Sequence, residues 1–195
     1  MASISQSFPE FLTPAFDAEA FEQLESIIAV IDASGEIVWV NPAWDRFAHQ
    51  NGGEAFVGRK ACYFDGIAQP LRDFYRAVFA NALATREVFE QEYECSSPEV
   101  RRRFHFRALP IGDHGIILEH SVIAENKVDD PAEEPIEARY MSSTNTIRQC
   151  SNCRRVRRRD AHAWDRVREW VERPHPKTSH VICPSCVGFY WGRRR

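Results

Sequence analysis

The sequence predicts an α+β fold: a five-stranded antiparallel sheet with helices on one face, followed by a small cysteine-bearing module. Two apolar segments of strand length come first, helical patterns follow, and three more strand-length segments come after them. Two Cys-x-x-Cys pairs lie near the C-terminus. Between these regions the composition turns acidic and rich in proline and hydroxyl side chains.

The first two predicted strands are Ile27–Asp32 and Glu36–Asn41, and Gly35 lies in the turn between them. Two short apolar strands around a glycine turn are typical of a β-hairpin. A helix is predicted before them over residues 16–25, because Asp17 can cap its N-terminus and the residues after it favour helix.

Two helices and three strands complete the predicted sheet domain. Pro42 suits the first turn of a short helix over 43–49, and Asn51-Gly52-Gly53 ends it. A longer helix is predicted from the 3.6-residue period over 70–84. The remaining strands are Val88–Cys95, Arg102–Leu109 and Gly115–Ala124.

Several short motifs over residues 22–124 resemble the PAS domain. They are Val30-Ile31-Asp32-x-x-Gly35, Val40-Asn41-Pro42-Ala43-Trp44, Phe47-Ala48, Tyr93-x-Cys95-x-Ser97-Pro98 and Arg103-Phe104-His105-Phe106. Their order and spacing together carry the resemblance. It implies a sensor domain that responds to a small ligand, a redox signal or a partner, and it leaves the identity of the ligand open.

These patterns divide the chain into an N-terminal flanking helix (1–25), a PAS sensor domain (26–124), an acidic and polar linker (125–147) and a basic four-cysteine module (148–195). The alternative for 125–147 is a surface loop of a single domain, which at this length is unusual in a compact fold. We expect a PAS-mediated homodimer in which Phe16, Phe21 and Leu24 of the flanking helix pack against a second copy. The alternative is that this helix packs on its own sheet.

The two C-terminal cysteine pairs predict a metal site. Cys150 with Cys153, and Cys183 with Cys186, each form a Cys-x-x-Cys unit that can present two sulfurs from one tight turn. Two such units supply the four thiolates that zinc prefers and leave no position for a reactive water, so we expect a structural zinc ion. The alternative is a set of free or disulfide-bonded thiols.

The segment between the two pairs predicts a helix. An apolar stripe is formed by Ala163, Trp164, Val167, Trp170 and Val171, and proline residues follow it. His180 either supports the metal through a hydrogen bond to a sulfur or is an ordinary turn histidine.

The module also resembles a small four-cysteine unit found at the C-termini of bacterial PAS sensor proteins. The matching residues are Cys150-Ser151-Asn152-Cys153-Arg154-Arg155-Val156-Arg157, Trp164 and Ser179-His180-Val181-Ile182-Cys183-Pro184-Ser185-Cys186. The resemblance implies a bacterial signalling protein but no defined activity. This chain departs from the pattern at Arg158-Arg159, where the related unit turns acidic.

Charge is distributed unevenly: the chain carries a net charge of −3 overall, while its C-terminal module is strongly basic. The basic cluster consists of Arg154, Arg155, Arg157, Arg158 and Arg159. We expect it to contact a signalling protein partner. The alternatives are a small DNA- or RNA-binding regulator, since cationic patches gain affinity by counterion release, and a merely solvated face.

Cofactors other than zinc are not indicated. The segment Gly58-Arg59-Lys60-Ala61-Cys62 is similar to the cysteine motif of flavin-binding LOV receptors, but it needs an inserted residue and lacks the polar residues that hold flavin. Haem would need an axial histidine, and the four histidines available to the PAS domain lie in no clear pocket pattern: His49, His105, His114 and His120.

The sequence contains no phosphate-binding glycine loop, nucleophile elbow or kinase motif, so we expect no enzymatic activity. It also lacks a signal-peptide pattern and an apolar run long enough to span a bilayer. The expected location is therefore the cytoplasm.

Overall fold

A computed structural model of the protein describes residues 7–13, 15–51, 61–128 and 133–191. Its α-helices are α1 (Ala18–Gln23), α2 (Pro42–Gln50), α3 (Leu71–Thr85), α4 (Glu137–Tyr140), α5 (Arg168–Glu172) and α6 (Pro184–Trp191). Its strands are β1 (Ile27–Asp32), β2 (Ile37–Val40), β3 (Phe89–Glu94), β4 (Val100–Ile111), β5 (Gly115–Lys127), β6 (Ile147–Cys150), β7 (Val156–Arg157), β8 (Trp164–Asp165) and β9 (Thr178–Val181).

The first sheet has five antiparallel strands in the order β2-β1-β5-β4-β3. Strand β1 lies between β2 and β5, so that Ala29 faces Val40 on one side and Leu118 on the other. Its first five residues are all buried, which is expected of a strand covered on both faces. The predicted α+β class is confirmed, although Gly52 and Gly53 of the predicted helix end lie outside the described residues.

Asn41, the central residue of the Val-Asn-Pro motif, stabilises the junction between β2 and α2. Its fully buried side chain accepts hydrogen bonds from the amides of Ile28 and Trp44 and donates one to the carbonyl of Ser26 at 2.8 Å. The residue therefore caps helix α2 and fixes its start against strand β1.

The N-terminal segment packs on its own sheet. Helix α1 forms as predicted, with Asp17 accepting a hydrogen bond from the amide of Glu19. The partly buried rings of Phe16 and Phe21 pack against a core that is built on β1 and β2. Leu24, the third residue of the expected dimer contact, is 41% exposed. The apolar sheet face thus covers part of the surface that the dimer prediction assigned to a second copy, and the dimer stays a prediction.

A second, smaller sheet forms the C-terminal region, with strand order β8-β7-β6-β9. Strand β6 runs antiparallel to β7 and parallel to β9. Its core consists of Tyr140, Ile147, Val156, Val167 and Trp170. The exposed character predicted for 125–147 is therefore wrong at its C-terminal end, because Tyr140 and Ile147 are 2% and 0% exposed.

The predicted helix between the cysteine pairs is also shorter than expected. Helix α5 covers only Arg168–Glu172, whereas Trp164 belongs to β8 and pairs with Arg157 of β7. Strand pairing overrides the helical period here, because a strand partner, β7, lies just upstream in the chain.

The chain divides into two compact units. The first contains residues up to Ile67 together with Phe74–Glu92 and Phe104–Ile123. The second contains Ala68–Asp73, Tyr93–Arg103 and the chain from Ala124 onward. The turn of the β3–β4 hairpin and its adjoining strand ends thus belong to the same unit as the four clustered cysteines.

Candidate metal centre

Parallel pairing of two strands brings the cysteine pairs together. Strands β6 and β9 are parallel and align Cys150 with Val181, so both strands end at the same edge of the small sheet. After β6, the amide of Arg154 donates to the carbonyl of Cys150 at 3.1 Å and closes the first tight turn. After β9, Cys183 and Cys186 lie at the start of helix α6. Each Cys-x-x-Cys unit thus follows a strand end.

The four sulfurs form a compact, buried cluster. Ligand atoms of Cys150, Cys153, Cys183 and Cys186 all lie within 4.8 Å of one another. The four residues are between 0% and 7% exposed. A tetrahedral zinc–thiolate site has sulfurs about 3.8 Å apart, and the Sγ atoms of Cys153 and Cys183 are 3.7 Å apart. The cluster can hold one metal ion, and the 3.7 Å separation is too long for a disulfide.

Hydrogen-bond donors face the sulfurs. The amide of Cys183 donates to Cys150 Sγ at 3.4 Å, and Asn152 Nδ2 donates to Cys186 Sγ at 3.3 Å. Hydrogen bonds from the other three cysteines, followed by that amide, lower the pKa of the Cys150 thiol against the effect of burial. Donors of this kind stabilise thiolates, which are the form that binds metal.

Gln149 supports the first Cys-x-x-Cys unit from inside the small core. We call this unit, Cys150–Cys153, the first knuckle, and Cys183–Cys186 the second knuckle. Its side-chain nitrogen donates to the carbonyl of Arg154 at 3.0 Å and to that of Trp170 at 2.7 Å. The residue is 1% exposed and holds the turn after Cys153 against helix α5. Sequence analysis missed the roles of Gln149 and Asn152. A polar residue next to a cysteine looks the same in sequence whether its side chain hydrogen-bonds to the site or faces solvent.

His180 does not join the ligand cluster. It lies on β9 opposite Gln149, and its Nδ1 is buried without a hydrogen-bond partner in the part of the chain that the structure describes. Burial, then the charge of Arg154, lowers the pKa of this imidazole. The predicted supporting bond from His180 to a sulfur is not among the hydrogen bonds of the described residues.

The five predicted arginines do not form one uniform surface. Arg158 makes two 3.0 Å hydrogen bonds with the carboxylate of Asp160, so its charge is largely compensated. Arg154 occupies the left-handed region with φ of 60° directly after Cys153. Arg155 and Arg157 are half-buried, and Arg159 is exposed. Arg155, Arg157 and Arg159 have no ion-pair partner among the described residues.

The interior of the first unit is aromatic and contains one buried histidine. The ring of His120 stacks on Phe106 with centroids 4.7 Å apart, and its Nε2 lies 3.4 Å from the hydroxyl of Tyr63. Burial lowers the pKa of His120 to about 3, so the imidazole is neutral at physiological pH. Sequence analysis gave this histidine no distinction from three others.

The other histidine and cysteine candidates occupy different places. His114 lies in the β4–β5 turn and stacks on Phe11 at 5.4 Å, while His49 lies in the last turn of α2. Cys62 is half-buried, and its backbone forms an isolated antiparallel β-bridge with Glu36. Gly58, Arg59 and Lys60 of the flavin-like motif lie outside the described residues.

The fold and the sequence together match a known family. The family model described as "PAS fold" matches residues 21–127, which is more than half of the chain. The chain belongs to the PAS family. This assignment accounts for the five-stranded sheet and its helices, and it confirms the resemblance read from the N-terminal motifs. For the C-terminal region, the structure shows the clustered cysteines.

The chain also shows similarity to three solved structures. The phage VqmA–DPO complex is 14% identical, with a TM-score of 0.42, and the match covers 54% of this chain and 50% of that one. The PAS domain of Bordetella pertussis BvgS is 19% identical, with a TM-score of 0.42, covering 55% and 84%. An RNA-binding Light-Oxygen-Voltage receptor is 18% identical, with a TM-score of 0.40, covering 61% and 36%.

One curated relative matches over a similar length. An uncharacterized 104.1 kDa protein in the hypE 3' region of Rhodobacter capsulatus is 32% identical over 108 residues, or 48% of this chain. The chain spans 11% of that relative's length. Within the described ranges, each helix is too short or too polar to cross a bilayer.

Proposed function

We propose that the protein is a non-enzymatic bacterial signal-transduction protein of the cytoplasm. Its PAS domain senses a small ligand, a redox change or a partner, and its zinc-stabilised C-terminal unit passes the signal on. One observation carries this proposal: the four-cysteine cluster belongs to the same compact unit as residues Tyr93–Arg103 of the PAS hairpin.

The donor set fits zinc in a structural role. Four buried cysteine sulfurs within 4.8 Å of one another match the four thiolate ligands that zinc prefers and would fill its coordination positions. When bound, the ion supplies a cross-link between the two knuckles and no catalytic water. A small domain needs such a cross-link because its apolar core is limited. Without an open coordination position, the centre supports a binding output instead of catalysis.

Two side chains tie the cysteine region to PAS elements within this unit. Arg166 donates a hydrogen bond from its guanidinium to the carbonyl of Ser97 in the β3–β4 turn, and it lies 4.0 Å from the carboxylate of Glu94. Its side chain is only 10% exposed, so this pairing is largely shielded from solvent. Ser151, inside the first knuckle, donates to the carbonyl of Gln69.

These contacts give the proposed signal a physical path. A change in the β3–β4 hairpin alters the position of Ser97, and Arg166 transmits that change to the chain between the cysteine pairs. The contact is a positioning element: it does not bind the metal itself. Its strength depends on the metal, since the zinc ion fixes both knuckles around the sheet whose strand β8 directly precedes Arg166.

Metal analysis of the purified protein tests the zinc assignment. We expect about one zinc ion per chain, as a closed four-thiolate site requires. Cys183→Ser should lose the metal, whereas Cys62→Ser, outside the cluster, should retain it. Protein purified with no metal and with four titratable thiols at the cluster would refute the assignment.

Hydrogen exchange tests the signal path. Removing the metal with a chelator should increase exchange over residues 93–103 as well as in the knuckles. Arg166→Met should produce the same increase in the hairpin while zinc stays bound. Arg148→Met, at an exposed arginine on strand β6, is the matched control and should leave the hairpin protected. Unchanged hairpin exchange in Arg166→Met would contradict the proposed path.

A further inference from the structure

The small sheet has one buried and one open face. Side chains alternate along each strand, so neighbours in sequence point to opposite faces. On the covered face, Gln149 and Val156 face each other and are 1% and 0% exposed. The next residues, Arg148 on β6 and Arg157 on β7, therefore lie side by side on the other face. Arg148 is exposed and Arg157 is half-buried.

This open face carries a continuous row of side chains across the four strands. Arg157 pairs in register with Trp164 of β8, and Arg148 pairs with Ser179 of β9. The row thus reads Trp164, Arg157, Arg148 and Ser179 from one edge of the sheet to the other, and we call it the open-face row. Neighbouring strands are about 4.8 Å apart, so the row presents an indole, two guanidinium groups and a hydroxyl within one short span.

Among the described residues, no ion pair compensates the positive charge of the open-face row. Arg148 and Arg157 form no ion pair with any described residue. The nearest acidic candidates are engaged elsewhere: Asp160 pairs with Arg158, and Asp165 accepts a hydrogen bond from Tyr140 on the covered face at 3.0 Å. The row is therefore an anion-binding surface with an aromatic ring at one end.

We propose that the open-face row binds single-stranded nucleic acid. The proposal rests on the proposed output role of the C-terminal unit and names its partner class. Guanidinium groups pair with phosphates and also stack on bases, and the uncovered part of the half-buried Trp164 indole offers a stacking platform for a base. Trp164 stacks a base while Arg157 and Arg148 contact consecutive phosphates, and the Ser179 hydroxyl donates to backbone oxygen.

The aromatic residue favours nucleic acid over an acidic protein. A polyanionic peptide such as polyglutamate is held by the arginines mainly through charge, whereas a single strand combines backbone charge with base stacking on the ring. A face of four strands is also wider than the α-helix or two-stranded β-ribbon that the major groove of duplex DNA admits.

Fluorescence anisotropy with labelled oligouridylate and oligothymidylate tests this proposal. The zinc-loaded full chain should bind both single strands, with an affinity that falls as salt increases. Arg148→Ala with Arg157→Ala should weaken binding at least tenfold and reduce the salt slope by about 1.4, the value for two lost phosphate contacts on a single strand. Trp164→Ala should weaken binding about five- to a hundredfold with an unchanged salt slope.

The matched control carries the same charge change on the other side of the sheet. Arg168→Ala with Arg173→Ala alters helix α5, which packs on the covered face, and should retain wild-type binding. Zinc content is measured for each variant, so loss of the metal, which would undermine the proposed function, is separable from loss of binding.

Three outcomes overturn the inference. The first is a zinc-loaded chain that binds neither single strand at low salt. The second is equal loss of affinity in the open-face and α5 double variants, which would indicate only net charge. The third is polyglutamate that binds as tightly as the single strands and tolerates Trp164→Ala, which would assign the row to an acidic protein partner.

Discussion

Asn152 and Cys186 are joined by a hydrogen bond of 3.3 Å from the side-chain amide to the sulfur, although they come from different knuckles. The hydroxyl of Tyr190 donates to the carbonyl oxygen of the same amide at 2.7 Å and fixes its orientation. The first knuckle, through Asn152, therefore supports a ligand of the second, and helix α6 holds the supporting group in place.

Removing the Asn152 amide should weaken metal binding without removing a ligand. We expect Asn152→Ala to lower zinc affinity about tenfold to a hundredfold, because groups that orient metal ligands typically contribute that much. Tyr190→Phe, which removes only the outer hydrogen bond, should have a smaller effect. Competition with a chromophoric chelator measures both. Ser185→Ala, an exposed position in the second knuckle, is the control, and an equal effect there would contradict the assigned role.

Arg154 should be under backbone strain. Its φ of 60° lies in the left-handed region, which costs a non-glycine residue about 1–2 kcal/mol. Arg154→Gly should therefore raise the free energy of unfolding by about 0.5–1 kcal/mol after the larger unfolded-state entropy of glycine is included.

Arg155 offers the matched comparison for this strain, because its φ is negative. Arg155→Gly should lower the free energy of unfolding by about 0.5–1 kcal/mol. Urea unfolding at saturating zinc measures both variants. If both glycine substitutions are destabilising, the left-handed conformation of Arg154 does not limit stability.

The stability of the first unit should fall in mild acid because of His120. Its folded-state pKa of about 3 lies below the ordinary value of 6.5, so the unfolded state binds the proton more tightly. Lowering the pH from 7 to 5 should cost about 2 kcal/mol of stability from this group alone. The loss begins near the unfolded-state pKa and continues until the folded-state pKa is reached.

His120→Phe should reduce this pH dependence, since phenylalanine keeps the ring contact with Phe106 but binds no proton. His105→Phe makes the same substitution on the neighbouring strand β4 and is the control. Both variants retain all cysteines, so any effect of acid on metal binding is common to them. Urea unfolding at pH 7 and pH 5 gives the comparison, and an unchanged pH effect in His120→Phe would refute the assignment.

The N-terminal segment should contribute to the stability of the PAS sheet. Leu12 is fully buried in the cluster with Ile28 and Trp39, so Leu12→Ala should cost about 2–5 kcal/mol. Leu24→Ala, at a residue that is 41% exposed, should change the free energy of unfolding by about 0.5 kcal/mol or less. Chemical denaturation compares them directly. Equal losses of unfolding free energy in the two variants would contradict a contribution of buried Leu12 to the stability of the sheet.

The sequence by itself determined the local elements of the PAS fold and the four cysteines of the candidate metal centre. Strand β1 was predictable because it is a short, continuous apolar run rich in β-branched residues, and helix α3 because its apolar residues recur with the 3.6-residue period. The cysteine cluster was predictable because the two cysteines of a Cys-x-x-Cys unit can meet in one turn, whatever the rest of the chain does.

Only the tertiary structure decided which distant segments pair. Parallel alignment of β6 with β9 unites the knuckles, and pairing of β7 with β8 takes Trp164 out of the predicted helix and places it beside Arg157. The same pairing separates Arg157 from Arg158, which turns to Asp160. The periodicity of one segment does not show which other segment it pairs with or in which register, since both depend on contacts between separate segments of the chain.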